Sequence, residues 1–304
     1  MKIAMIGIGN IAQKAYLPIL SRKRNIDLIL CSRNELVLER LSLEYKLHQH
    51  TTSVDDLIAL GIDAAFVHSA TPSHYEICKK LIENGIAVYI DKPLSESLLE
   101  TRSLFQLAKD KNIILRVGFN RRYAPLLTAL KKLPPADLII HQKNRLYSPC
   151  HIRHFVYDDF IHVVDTLRYL MSEPITDFWV SGKRISNELI AVTLHLFGNS
   201  QTAVGIMHRD SGKVEEKIEY LLKGEKRIVE DLSLSTQYLN GNSIITNNDN
   251  WVSALTQKGF EAIIDQFLDE ITQDKGFNKK DEDALITHEL CEAIIARLEH
   301  TLKS

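Results

Sequence analysis

The feature that most narrows the folds open to this chain is an apolar run, Lys2 to Ile6, that passes directly into Gly7-Ile8-Gly9-Asn10-Ile11-Ala12. A continuous apolar run suits a strand buried on both faces of a parallel sheet. In the GxGxxA turn behind it, Gly7 permits a tight turn and Gly9 lets the main chain approach a pyrophosphate. Ala12 lets the following helix pack closely on the strand. The start of that helix offers unpaired N–H groups and the positive end of its dipole to phosphate. A glycine pattern alone is as often a plain turn. Its place directly behind a strand makes it a nucleotide-binding expectation, with Asn10 and Ile11 in the contact set. Pro18 is expected to end or kink the helix after about two turns.

The alternation continues. Strands are expected at Asp27–Cys31, Ala64–His68, Ala87–Ile90 and Ile113–Val117, with helical segments between them, which argues for a doubly wound parallel sheet. Ligands on such sheets bind outside the carboxyl ends of the strands. Gly7, Ser32, Thr71, Lys92 and Asn120 follow strand ends, so they are expected to converge on one edge. The second strand leads into Ser32-Arg33-Asn34, with no carboxylate before Glu35. An NAD site places an acid near this point for the ribose 2′-hydroxyl, whereas a hydroxyl and a guanidinium suit the 2′-phosphate of NADP. NADP is the expected cofactor and NAD the less favoured one. Arg33 taken alone would be an ordinary surface residue; its position behind the fingerprint gives it weight.

Length and composition set the remaining bounds. At 304 residues the chain suits two domains, and 45% hydrophobic with 25% charged residues is ordinary for a soluble globular protein. A formal net charge of -2 gives no case for nucleic acid or an anionic membrane, and Arg121-Arg122 and Lys131-Lys132 are isolated basic pairs. No apolar run approaches the roughly 18–20 residues of a membrane span, and no signal-peptide pattern is expected. The four cysteines, Cys31, Cys78, Cys150 and Cys291, lack metal-ligand or CxxC spacing. They read as reduced, mostly buried thiols of a cytoplasmic protein, with no metal site.

Residues 158–170 read DDFIHVVDTLRYL. On a helix Asp158 and His162 are at i,i+4 with Asp165 three residues on, so all three share a face while Ile161, Val164 and Leu167 turn to the core. The residues alone leave two readings open: a solvated acidic stripe holding one histidine, or a catalytic helix. After residue 175 the pattern changes to short strands at Asp177–Val180, Glu188–Phe197, Thr202–His208, Lys217–Leu222 and Lys226–Glu230, which suits an antiparallel sheet. Thr246–Asn250 reads as a polar loop. Two amphipathic helices close the chain, one with the stripe Phe260, Ile263, Ile264, Phe267, Leu268 and Ile271, the other with Leu285, His288, Cys291, Ile295 and Leu298. Both read as packing.

Five features in order then carry a family resemblance: the initial GxGxxA; Ala70-Thr71-Pro72 with His74; Asp91-Lys92-Pro93 where relatives usually have Glu-Lys-Pro; Gly118-Phe119-Asn120-Arg121-Arg122-Tyr123; and Asp158…His162…Asp165. On these the chain resembles the glucose–fructose oxidoreductase/inositol dehydrogenase/rhizopine catabolism (Gfo/Idh/MocA) family. Within it the MviM-like branch is the nearest match, through IAQKAYLP (11–18), GFNRRYAP (118–125), DDFIHVVDT (158–166) and MHR (207–209). The resemblance implies an α/β Rossmann domain over residues 1–120 and an α+β substrate domain over 121–304. The large, open, mostly antiparallel sheet of the latter covers its second face in a homodimer or homotetramer.

It also implies an oxidoreductase moving hydride between NADP(H) and a sugar, polyol or related hydroxy or carbonyl compound. Lys92, Asp158 and His162 form the implied catalytic set. Cofactor contacts are implied for Gly7, Gly9, Asn10, Ile11, Ser32, Arg33, Asn34, Ser69, Thr71, Pro72, His74, Asp91, Asn120 and Arg121, and substrate contacts for Arg122, Arg145, Asp165 and His208. The chemistry suits these types. Oxidising an alcohol removes the hydroxyl proton as hydride leaves the same carbon, and an imidazole with an ordinary pKa of about 6.5 is a fitting base. Lys92 would stabilise charge developing on the oxygen, and Asp158 would orient the ring or bind a neighbouring hydroxyl. One departure is Phe160, where many relatives have glycine two residues before the histidine; its ring would narrow the pocket or tilt the helix. Another class of function remains beside the enzyme: a sensor that binds dinucleotide without turnover, which has no need of a proton relay. The basic groups Arg122, Lys143, Arg145, His208 and Arg209 raise an anionic substrate as a further option. Against it, Lys143 and Arg145 would simply share a solvent face, and Arg209 would pair with Asp210 or Glu216.

Overall fold

In the computed structural model, which describes residues 1–247, 251–273 and 275–302, the apolar run at the start is strand β1 (Lys2–Ile6), exposed only at its first residue. It lies inside a six-stranded parallel sheet with β2 (Asp27–Cys31), β3 (Gln49–Thr51), β4 (Ala64–Val67), β5 (Ala87–Ile90) and β6 (Leu115–Val117). The order β3-β2-β1-β4-β5-β6 is the doubly wound arrangement expected of a dinucleotide-binding sheet. Every residue of β4 and β5 is buried, because helices cover both faces. Pro18 does not end the first helix. A widened turn precedes it, in which the Leu17 N–H reaches back five residues to the Ala12 carbonyl, and the helix continues to Leu20. The wider turn absorbs the missing proline N–H and the ring that would strike the carbonyl four residues back.

The sheet belongs to one of two units, Met1–Gly118 with Ile263–Ile286; the other is Phe119–Ala262 with Thr287–Ser304. The two closing helices were expected to pack within the second domain, yet residues 263–286 return to the first unit. Phe267, on the Phe260–Thr272 helix, explains part of this. Its ring meets Phe66 edge-on at 5.3 Å and Tyr89 at 5.6 Å between centroids. Arg116 on β6 explains the rest, donating to Glu270 at 2.7 Å and to Asp281 at 3.0 Å.

The second unit is built on an eight-stranded sheet. Its strands are β7 (Leu138–Asn144), β8 (Asp177–Ile185), β9 (Glu188–Phe197), β10 (Thr202–His208), β11 (Glu215–Leu222), β12 (Glu225–Glu230), β13 (Leu234–Leu239) and β14 (Asn242–Asn247). They run in the order β14-β13-β12-β11-β7-β10-β9-β8. Only the β7–β10 pairing is parallel. The last two strands were not expected: Thr246 and Asn247 of the supposed polar loop end β14, and 248–250 lie outside the described residues. The Ile161–Leu170 helix packs on one face, with Ile161 to Leu167 all buried. Gly205 on β10 permits that contact, since a Cβ there would lie 2.9 Å from Val163 and 3.1 Å from Leu167. The other face leaves Trp179 and Phe197 partly open, at 51% and 37% exposure. Among the described residues no helix is long and apolar enough to cross a membrane, and no group of three His, Cys, Asp or Glu side chains is placed to hold a metal.

The Arg116 cluster gives a stability test. Its side chains are 4% (Arg116), 6% (Glu270) and 0% (Asp281) exposed, so removing the guanidinium strands Asp281 out of water and leaves Glu270 only Lys280 at 3.2 Å. Arg116→Met is expected to cost about 3–5 kcal/mol, read as a lower midpoint in urea unfolding. A midpoint within experimental error of the parent would contradict that role for the pair.

Candidate active site

In the first unit the candidate groups follow the carboxyl ends of the strands. Gly7 has φ +85°, and a Cβ there would lie 2.5 Å from the Ser69 Cα and 2.7 Å from the His68 carbonyl carbon. Only glycine satisfies both the backbone and the space. Gly9 is different, because a Cβ there would meet nothing within 4 Å. That open space lies at the start of a helix whose first residues, Asn10 and Ile11, are exposed. Open space beside free helix N–H groups fits the pyrophosphate of a dinucleotide.

Behind β2, the Asn34 side chain accepts from the Val37 N–H at 3.2 Å and caps the Glu35–Tyr45 helix, while its own N–H donates to the Ser32 hydroxyl at 3.2 Å. Arg33 between them is exposed. Behind β4, Thr71–Ser73 form a short 3₁₀ turn with Pro72 exposed. The Ser69 hydroxyl accepts from Ser73 at 2.8 Å. His74 is buried and its ring spans two main-chain segments, with Nε2 2.8 Å from the Ser69 carbonyl and Nδ1 3.0 Å from the Pro93 carbonyl. Behind β5, Asp91 accepts from the Lys92 N–H at 2.9 Å. Burial pushes the Asp91 carboxyl above its ordinary range, against the pull of the Lys92 charge. Behind β6, Asn120 belongs to the second unit and donates to the Lys258 carbonyl at 2.8 Å.

In the second unit Asp158 lies in a different element from His162 and Asp165. Val156–Phe160 is a widened turn, closed by the Ile161 N–H reaching the Val156 carbonyl five residues back. Asp158 is 40% exposed and lies 3.2 Å from Arg209, whereas His162 and Asp165 are buried. Phe160 is fully buried beside Phe155.

Asp165 is held by both forks of Arg122, at 2.6 and 2.9 Å, and by the Thr287 hydroxyl at 2.8 Å. Arg121 donates to Glu216 at 2.6 and 2.8 Å, and His141 meets the same carboxylate at 3.2 Å. Burial raises the Glu216 pKa, but Arg121 and His141 outweigh it and hold the group well below its ordinary value. Lys143 and Arg145 both bind Asp159. His208 accepts the Asp210 N–H at 3.1 Å through Nδ1.

Two expectations change here. Lys143 does not face solvent, with 3% of its side chain exposed. Arg209 pairs with Asp158 rather than Asp210 or Glu216. Arg122, Lys143, Arg145 and Arg209 are thus each tied to a carboxylate of the chain, which removes the support they lent to an anionic substrate. Sequence reasoning passed over Asp159 and His141, and named Glu216 only as a partner for Arg209. The alternation of His141 and Lys143 along β7 was legible, but not the face it would take.

A doubly wound parallel sheet with this glycine turn, joined to a largely antiparallel open sheet, defines an oxidoreductase with an NAD(P)-binding Rossmann unit. The family model described as "Oxidoreductase family, NAD-binding Rossmann fold" matches residues 1–119, and that described as "YceM-like, C-terminal domain" matches residues 125–238. YceM of Salmonella typhimurium, named as an oxidoreductase, is 31% identical over 97% of this chain and 97% of its own. The crystal structure of a dehydrogenase (MviM) from Clostridium difficile is 33% identical with a TM-score of 0.93, covering 98% of this chain and 99% of that one. A scyllo-inositol 2-dehydrogenase (NAD(+)) of Bacillus subtilis is 27% identical over 50% of this chain and 46% of its own. The chain belongs to the Gfo/Idh/MocA family of oxidoreductases.

The two glycines separate in a stability measurement. Gly7→Ala is strained in both backbone and space and is expected to cost at least about 1–3 kcal/mol. Gly9→Ala meets open space and should leave the thermal midpoint nearly unchanged. Equal midpoints for the two variants would count against the turn geometry.

Proposed function

We propose that the protein transfers hydride between NADP(H) and a hydroxyl- or carbonyl-bearing carbon of a sugar, polyol or related compound. The observation that carries this reading is that both proton-handling groups occupy the family's motif positions: Lys92 directly behind β5, and His162 in the first turn of a buried helix, four residues after Asp158. The inositol dehydrogenases among the relatives support the substrate class. The bound nicotinamide supplies the hydride acceptor or donor. Gly7, Gly9, Asn10, Ile11, Ser69, Thr71 and Pro72 hold the nucleotide, while Asn34, His74, Asp91, Asn120 and Arg121 shape its surroundings through their own internal bonds. His162 takes the hydroxyl proton as the carbon–hydrogen bond breaks, and returns it in the reverse direction. Lys92 donates a hydrogen bond to the reacting oxygen. Asp158 accepts from a neighbouring hydroxyl, with His208 near the substrate and the Arg122–Asp165 pair supporting that side. The open sheet face with Trp179 and Phe197 supports a homo-oligomer. Four free thiols, three of them buried, support a reducing compartment such as the cytoplasm.

NADP is preferred over NAD in this reading because Arg33 is exposed and makes no side-chain hydrogen bond or ion pair among the described residues. The family relative that uses NAD(+) makes the point worth measuring. Losing a charge-assisted contact to the 2′-phosphate costs about 1.5–3 kcal/mol, roughly ten- to a hundredfold in affinity. Arg33→Ala should lose that much for NADP⁺ and little for NAD⁺ in calorimetric titrations. Equal affinities of the parent protein for the two nucleotides would sink the preference.

The catalytic roles predict a split between binding and turnover. Lys92→Met and His162→Ala should each lower kcat by about 10²–10⁴, the range for a positioned acid or base, with nucleotide affinity nearly intact. The assay follows nicotinamide absorbance across a panel of sugars and polyols. Turnover within a few-fold of the parent in both variants would remove the mechanism. Tight nucleotide binding with no turnover on any member would favour the sensor.

A further inference from the structure

The widened turn at Val156–Phe160 holds one residue more than an α-helical turn, and such turns recur at functional sites. Its adjacent acids have opposite surroundings. Asp158 is 40% exposed, whereas Asp159 is 6% exposed. Asp159 accepts from Lys143 Nζ at 2.6 Å and from two nitrogens of Arg145 at 2.5 and 3.1 Å. Both cations come from one place: Lys143 is the penultimate residue of β7 and Arg145 follows its end. That strand is held on both sides, since Lys143 is in register with Met207 of β10 and Glu216 of β11. The turn is thereby tied to the interior of the sheet, and two cations meet one carboxylate.

We propose that Lys143 and Arg145 are positioning residues, which act through Asp159 to hold the widened turn so that Asp158 and His162 keep the relative placement that turnover needs. The inference rests on the catalytic roles proposed above. One residue more or less in the turn rotates everything before it by about 100° relative to everything after. Releasing Asp159 would therefore change where Asp158 sits relative to His162 without touching either.

The clamp has a titrating member. Lys143 is faced by Asp159 from the widened turn, by Arg121 from the Asn120–Tyr123 turn, by Glu216 from β11, by His141 from its own strand and by Arg145 just past its end; Met207 on β10 is apolar. Burial lowers the Lys143 pKa to about 8 against the opposing pull of Asp159. Burial raises the Asp159 carboxyl, but Arg145 and Lys143 outweigh it and hold it below the ordinary carboxylate range, so it stays ionised. The unfolded chain keeps the Lys143 proton up to its ordinary 10.5. Between about 8 and 10.5 the folded chain has released a proton that the unfolded chain retains, so this group favours the folded state as pH rises. Turnover that falls near pH 8 while the thermal midpoint holds is thus the signature of the clamp and not of global unfolding.

The test compares the full chain with Asp159→Asn, Lys143→Met and Lys143→Arg. Amide hydrogen exchange over residues 156–162 is read without nucleotide, and pH–rate profiles with nucleotide and any substrate the panel identifies. Asp159→Asn and Lys143→Met should speed that exchange at least tenfold and lower kcat at least tenfold, with nucleotide affinity unchanged. Lys143→Arg, which stays charged, should restore slow exchange and move the alkaline limb above pH 10. If Asp159→Asn does not fold, the two Lys143 variants carry the same comparison. Exchange equal to the parent in Lys143→Met, or an alkaline limb unmoved in Lys143→Arg, would overturn the clamp. Faster exchange in a protein that turns over no panel member would support the clamp and tell against the hydride-transfer reading alone.

Discussion

A guanidinium out of water needs carboxylates at its nitrogens, and this constraint organises the first unit. Arg116 stands on β6 with 4% of its side chain exposed. Its partners, Glu270 and Asp281, lie 154 and 165 residues along the chain. The helices carrying them are drawn back to the sheet, and Phe267 fills the space beside Phe66 and Tyr89. Such a pair adds little net stability, because desolvating both ions nearly cancels their attraction. Its effect is one of placement: with either partner missing, a bare charge is left in a medium that cannot solvate it.

The same constraint fixes what the second unit offers a ligand. Arg121 is closed by Glu216, Arg122 by Asp165, Arg209 by Asp158, and the pair Lys143 and Arg145 by Asp159. Guanidinium forks already engaged by carboxylates are poor receptors for another anion. Arg33 in the first unit is the contrast. It is exposed beside a hydroxyl, and the neighbouring amide side chain is spent on a helix cap.

What could be read in the sequence follows from which contacts are local. β1, β4 and β5 are legible because burial on both faces leaves an apolar run with turn residues behind it, and β9 and β10 because one face alternates. Gly7 is legible because a φ of +85° against the Ser69 backbone admits no other residue. The widened turns at 12–16 and 156–160 are not, since a hydrogen bond to the fifth residue back leaves no residue code of its own; Pro18 warned of an irregularity but not of its form. Strand β14 escaped notice because every residue on it is exposed, leaving no alternation to read. The return of residues 263–286 depends on partners far away in sequence, which periodicity does not encode.

Asp158 and Asp159 show why a site is harder to read than a fold. Side by side in a sequence they are the same chemical group, and α-helical spacing selects the first as the partner of His162. The wider turn gives them separate tasks. Asp159 is drawn inside by two cations at the end of β7, while Asp158 remains 40% exposed and within reach of Arg209. Ile161, Val163, Val164 and Leu167 commit the following turns to the sheet. The turn before them adds one residue to the helical repeat, so the direction of Asp158 relative to His162 is set by the width of that turn as well as by their spacing in the sequence.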